Sequence, residues 1–283
     1  MSTLGYYIVL GLLYALALLP LRLLYVLADM LFVIIYYVAR YRRRLVRSNL
    51  AECFLDKSEK WRRDTEKQFY HNFADYIVET VKLLHISDSE MKRRMQFDNI
   101  ELIDSLVANN RSIVVYFAHC GNWEWAPSMT LRVAPHPGQK VEYCQVYRPL
   151  RSGLTDRLML RLRSRFGSTS FPKSSVLRDL IRLRRDGIVS VTGFMSDQKP
   201  SHGDPTVVTT LLGRPTAMIS GTETLARKLD MAVIYWDMEK TGRGRYRLTC
   251  RLICDNPASM PGHEITLAYT RMLQQTIERN PSI

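Results

Sequence analysis

The 283-residue sequence contains no Pro/Gly/Ser-rich linker long enough to separate two folding units, no low-complexity tract and no internal repeat. With ample length for a core, these absences favour one large domain behind a terminal segment. Cysteine is scarce and odd in number: Cys53, Cys120, Cys144, Cys250 and Cys254 form no paired framework, as expected of a reducing compartment. Cys250 and Cys254 have the spacing to share a strand face, but without histidine or cysteine companions they make a poor zinc site. Charge is missing from residues 1–21, and residues 23–39 hold only Asp29. No basic leader precedes the first run, so a cleaved signal peptide fits poorly.

Those two apolar runs read as membrane segments. The first is about as long as a bilayer-spanning helix, roughly 20 residues, and Pro20 and Arg22 interrupt its continuation into the second; a buried hydrophobic helix is the alternative. Arg40, Arg42, Arg43, Arg44 and Arg47 follow at once, and the positive-inside tendency places that side in the cytoplasm whether one helix spans or two form a shallow hairpin. Residues 1–39 are thus expected to be a membrane anchor and residues 40–283 the catalytic domain. The formal charge of +13 suits nucleic-acid binders and proteins of anionic membrane surfaces alike. Behind an apolar terminus, anionic headgroups are the expected partner and nucleic acid is not. From 151 to 166, Leu154, Leu158, Leu162 and Phe166 recur every four residues while Arg157, Arg161, Arg163 and Arg165 take other positions, the pattern of a basic helix on a core. Arg178, Arg182, Arg184 and Arg185 continue the theme.

Ser58 is placed to cap a helix over 59–85, and a second helix near 100–109 leads into a strand over 112–118. Further strands are expected at 141–146, 188–195, 231–238 and 246–254, with helices at 216–229 and 263–279. Strands alternating with helices predict an α/β fold with a mainly parallel sheet covered on both faces.

The strand over 112–118 delivers His119-Cys120-Gly121-Asn122-Trp123-Glu124 to its carboxyl end, where open α/β sheets bind ligands. A neutral imidazole can take a proton from an alcohol, and a carboxylate can fix its tautomer. The block is followed in order by Tyr147-Arg148-Pro149, Arg165-Phe166-Gly167, Ser196-Asp197-Gln198, Leu212-Gly213-Arg214-Pro215 and Gly221 to Arg227. Together these resemble the lipid A biosynthesis acyltransferases, the late lauroyl and myristoyl transferases of Gram-negative bacteria, over roughly residues 41–280. Glycerolipid acyltransferases share the histidine-and-acid block but usually carry Glu-Gly-Thr-Arg where this chain has Gly193 to Gln198, which favours the lipid A branch.

The resemblance implies an αβα sandwich of the glycerolipid acyltransferase type with a hydrophobic groove, and an O-acyltransferase of the cell inner membrane that faces the cytoplasm. Its acyl donor would be an acyl carrier protein or CoA thioester, and its acceptor a hydroxyl of a lipid A precursor. No metal or cofactor is expected, because a thioester is already activated. His119 is the expected base and Glu124 its orienting carboxylate, with a helix first-turn acid as the bland alternative. Gly121 and Asn122 offer backbone amides to the reacting carbonyl, and Asn122 also suits a helix cap. A nucleophilic Cys120 is disfavoured, because adjacent side chains at a strand end point to opposite sides. Arg148 is expected to hold a phosphate of donor or acceptor, Asp197 and Gln198 to position the acceptor or Arg148, and Arg214 to contact phosphate or form a loop salt bridge. The resemblance also leads to the expectation of a Trp- and Arg-rich segment after the last helix, which this sequence lacks. Two other readings are a lysophospholipid or aminolipid acceptor and, in a different class, a basic membrane-anchored binding module.

Overall fold

A computed structural model describes residues 3–283. Helix α1 (Thr3–Leu18) ends before Leu19-Pro20, and α2 (Leu21–Val33) runs on through a π-helical turn over Ile34–Val38. Proline donates no amide hydrogen and its ring suits a helix start, so the apolar region is cut there. Among the described residues the helix long and apolar enough to cross a bilayer is the second, Leu21–Val38, while the first run gives the shorter apolar helix Leu4–Leu18. Arg40 and Arg42, both at positive φ, turn the chain into α3 (Arg43–Cys53). Ser58 caps α4 (Glu59–Lys82) as its sequence suggests, accepting the Trp61 amide at 3.2 Å.

Helix α2 lies antiparallel along α4, fastened at intervals. Lys82 Nζ donates to the Ala17 and Leu19 carbonyls at 2.8 and 2.9 Å, and the Tyr25 hydroxyl donates to Glu79 at 3.0 Å. Arg243 joins Asp29 and Asp75 at 2.6 and 2.7 Å, and the Phe32 and His71 rings stack at 3.5 Å. The outward faces of the two apolar helices leave Leu12, Leu16, Leu23, Val26, Leu27, Met30 and Val33 exposed. Two of the five arginines beyond them, the largely buried Arg43 and the exposed Arg47, pair with the buried Glu66.

The remaining elements are α5 (Asp88–Arg94), β1 (Met95–Asp98), α6 (Glu101–Ala108), β2 (Ile113–Phe117), β3 (Val141–Tyr147), α7 (Gly153–Arg163), β4 (Thr169–Pro172), α8 (Val176–Arg185), β5 (Val189–Met195), β6 (Thr206–Leu211), β7 (Arg214–Ile219), α9 (Gly221–Leu229), β8 (Ala232–Gly242), β9 (Arg245–Cys254) and α10 (Glu264–Arg279). Seven strands form one sheet in the order β1-β9-β8-β2-β5-β3-β4, parallel except between β8 and β9. The all-apolar β2 is buried on both faces, as a central parallel strand requires. Ile113, Val115 and Phe117 face a core that includes residues of α1, α2, α4, α6 and α7, while Val114 and Tyr116 face residues of α8, α9 and α10.

The helix expected over 216–229 begins later. Residues 206–219 form an antiparallel hairpin turned by Leu212 and Gly213, both at positive φ, which is the backbone of a two-residue primed turn. Periodicity reads a two-stranded ribbon of this length poorly, and Pro215 is tolerated because the hairpin lies outside the main sheet.

Candidate active site

Phe117, the last residue of β2, lies opposite Met195, the last residue of β5. Extending both chains by two residues sets His119 beside Asp197 at the carboxyl edge of the sheet. Nδ1 of His119 is 2.8 Å from Asp197 Oδ1, and Oδ2 accepts the His119 backbone amide at 3.0 Å. A carboxylate offers only acceptors, so Nδ1 carries a hydrogen, and in the neutral imidazole Nε2 then keeps its lone pair. Gln198 Nε2 donates to that Nε2 at 3.2 Å. The Trp123 ring meets the imidazole edge-on at 5.0 Å and itself stacks on Tyr76 of α4 at 4.4 Å. Of the His119 side chain, 26% remains exposed, enough for a substrate hydroxyl to reach it.

The pairing expected between His119 and Glu124 is replaced by this one. Residues Trp123–Leu131 coil as a 3-10 helix, and its tight rotation turns Glu124 inward, where the side chain is 3% exposed. Its carboxylate takes Arg163 in a two-pronged contact, Nε at 2.9 Å and Nη2 at 2.6 Å. Arg163 therefore belongs to the interior and not to the basic surface of α7. Burial opposes its charge, but the Glu124 contact outweighs that and raises its affinity for the proton.

Asn122 is wholly buried, makes no side-chain cap, and donates from Nδ2 to Glu79 Oε2 at 2.8 Å. This displaces the expectation of a cap or substrate contact, because the side chain points down into α4. The Gly121 amide donates to the Ile283 oxygen at 3.1 Å, so it is not free for a reacting carbonyl. Gly121 stands at φ +58°, and a Cβ there would meet Met238 and Tyr246 at 3.1 Å, which explains a glycine at this turn. Burial first, and the charge of Asp197 second, push the Cys120 thiol up to about 12, far from the thiolate a nucleophile needs.

Arg148 follows β3, the neighbour of β5, on the same sheet edge as His119; its exposed guanidinium donates to Ser201 Oγ at 3.4 Å. Asp197 is committed to His119, so it does not serve Arg148. Arg214, at the start of β7, pairs with Glu52 of α3, which is the loop salt bridge of its two expected roles.

Next to Trp123, whose ring abuts the imidazole, lies a cleft walled by Phe117, Trp123, Met129, Tyr143, Val146, Val191, Met195 and Trp236 with the Glu124–Arg163 pair among them. It is long on hydrocarbon and short on polar groups, as suits an acyl chain. Gly193 lines it, and a Cβ there would come within 2.8 Å of the Phe117 ring.

Sequence reasoning missed three partners: Asp197 as the carboxylate on His119, Arg163 on Glu124, and Glu79 beneath the loop. The first left a signal, since His119 and Asp197 each stand two residues beyond an apolar strand. A family model described as bacterial lipid A biosynthesis acyltransferase matches residues 1–283. No curated protein matches the chain.

Proposed function

The chain belongs to the bacterial lipid A biosynthesis acyltransferase family and is an acyltransferase acting on a lipid acceptor, and we propose that His119 is the general base in the transfer of a fatty acyl group from an acyl-carrier-protein thioester to a hydroxyl of a lipid A precursor. The observation that carries this reading is the line Asp197–His119–Gln198. Nε2 removes the proton of the acceptor hydroxyl as its oxygen attacks the thioester carbonyl. Asp197 holds the tautomer and stabilises the imidazolium that forms. Collapse of the tetrahedral intermediate breaks the carbon–sulfur bond, and the imidazolium returns its proton to the departing thiolate, leaving ester and thiol. The chemistry rests on these groups and a donor that is already activated.

In this reading the cleft beside Trp123 takes the acyl chain, and Glu124 shapes its wall through Arg163 without touching the travelling proton. Gln198 steadies Nε2 until the hydroxyl replaces it. Arg148, exposed on the same edge, takes a phosphate of donor or acceptor. Residues 1–39 attach the catalytic unit 40–283 to the inner membrane through the exposed apolar faces of α1 and α2, on the cytoplasmic side, where anionic headgroups meet the adjoining arginines. The acidic acyl carrier protein would meet Arg178, Arg182 and Arg185 on α8.

The test is to incubate purified protein with an acyl-carrier-protein thioester and lipid A precursor and to follow the lipid by mass spectrometry. One acyl increment on the precursor, lost in His119→Ala, is the expected result. An increment only on lysophospholipid or aminolipid acceptors would replace the acceptor, and no increment on any lipid would sink the reading.

A further inference from the structure

We infer that Glu79, in the buried middle of α4, is a positioning residue that holds the loop presenting His119. The kinetic part of this inference rests on the acyl transfer proposed above. Glu79 has no exposed surface, yet its carboxyl collects three donors from three other parts of the chain. Oε2 accepts Asn122 Nδ2 at 2.8 Å from the His119 loop and the Tyr246 hydroxyl at 2.8 Å from β9. Oε1 accepts the Tyr25 hydroxyl at 3.0 Å from α2. Its backbone carbonyl adds a fourth tie to the same loop, accepting Trp125 Nε1 at 3.2 Å.

A carboxyl is an expensive group to bury, and an apolar side chain would fill the space between helix and sheet at less cost. What three converging donors add is direction: each fixes an angle that hydrophobic contact leaves free. The loop needs that direction. Among the described residues Asn122 Oδ1 has no partner, so Glu79 orients the amide, and Gly121, hemmed in by Met238 and Tyr246, packs the turn against the strand that carries one of the other donors. One turn earlier on α4, Tyr76 supports Trp123, which abuts the imidazole. Tyr25 brings the apolar helix to the same carboxyl, so α2 and the His119 loop share one acceptor.

The decisive variant is Asn122→Asp, which faces one carboxyl with another. Its partner is the double variant Asn122→Asp with Glu79→Gln, in which the new amide on α4 donates to the new carboxylate of the loop and the polarity of the bond is reversed. For folded full-length protein we expect Asn122→Asp to lower kcat about tenfold to a hundredfold with KM for either substrate little changed, the signature of a displaced base. The double variant should recover most of the loss. Amide hydrogen exchange over residues 120–125 should accelerate in Asn122→Asp and return in the double variant, whatever the substrates are. If Asn122→Asp does not fold, Tyr246→Phe, which removes one donor from the same oxygen, should still lower kcat several-fold at constant KM. Wild-type kcat and unchanged loop exchange in these variants would overturn the inference. So would a defect in Asn122→Asp that Glu79→Gln leaves uncorrected. If instead His119→Ala keeps its turnover, the reaction reading fails while loop exchange still decides the role of Glu79.

Discussion

Replacing Asp197 by asparagine removes one acceptor and adds one donor while leaving the shape of the side chain unchanged. In the native site its two oxygens serve two hydrogens, His119 Nδ1–H at 2.8 Å and the His119 backbone N–H at 3.0 Å. Asparagine has one oxygen. If that oxygen keeps the backbone amide, its NH₂ faces Nδ1 and forces the imidazole hydrogen onto Nε2, the atom that must accept the proton. If it keeps Nδ1–H, its NH₂ opposes the backbone N–H, donor against donor, and the loop shifts. Either way the base is disarmed, and the loss should approach the whole value of general-base catalysis, about 10²- to 10⁴-fold, or roughly 2.7–5.5 kcal/mol at about 1.36 kcal/mol per decade. Stability should fall far less, by about 1–3 kcal/mol for a mismatched partly buried donor. Single-turnover acyl transfer, quenched and read by mass spectrometry, measures the chemical step, and nitrogen NMR of labelled histidine reads the tautomer. A folded Asp197→Asn protein that turns over within about threefold of the native rate would refute the base assignment.

Glu124→Ala should show the opposite balance. It strips a buried arginine of its partner, which costs about 3–5 kcal/mol, so the melting temperature should drop by on the order of 10 °C while the folded fraction at low temperature keeps much of its kcat; a native melting temperature with no turnover would mean that Glu124 acts on the reaction itself. Gly193→Val places a branched side chain against Phe117 in the cleft and should shift donor preference to shorter acyl chains, at about 1–3 kcal/mol of discrimination per methylene; an unchanged chain-length profile in a competition assay would remove the cleft as the acyl site. Acid stability should follow Glu223 and Asp237. Burial raises both carboxyls, but Thr266 and Arg227 outweigh it at Glu223, and Arg279 and Thr276 at Asp237, so both end below the ordinary value. The folded state then gives up these protons more readily than the unfolded one. The stability they contribute is complete above the unfolded values of about 4 and is lost as pH falls through the lowered folded ones. Calorimetric melts should decline most steeply below about pH 4.5, less so in Glu223→Gln; parallel pH curves for the two proteins would contradict the assignment.

The sheet was legible because its strands are short and rich in β-branched and aromatic residues, a pattern that survives without any tertiary context. Residues 113–117, 141–147 and 189–195 announce themselves in that way. The β6–β7 hairpin was not legible, since its turn uses Leu212 in a left-handed conformation that leucine seldom adopts and no Asn-Gly pair marks it. His119 and Asp197 were both named as candidates, but their contact depends on Phe117 standing opposite Met195, and strand register is a property of pairing that neither strand encodes alone. Nearness in sequence favours Glu124 as the partner of His119. In space, the register of two parallel strands outranked that proximity.

The same distinction explains why Glu79 and Arg163 escaped notice. Each sits on an amphipathic helix at a position where a charge ordinarily faces water, and the helical period alone assigns it to the solvated face. Both are buried because a second element brings a complementary group: the 3-10 segment carries Glu124 to Arg163, and the loop after β2 carries Asn122 to Glu79. A charge buried at that cost persists where it fixes geometry that apolar packing leaves loose. Both grip the chain within a few residues of His119, Glu79 through Asn122 and Arg163 through Glu124. The residues from 119 to 124 are thus held from two sides, by a buried carboxyl on α4 and a buried guanidinium on α7, while the imidazole itself is left to Asp197 and to the substrate.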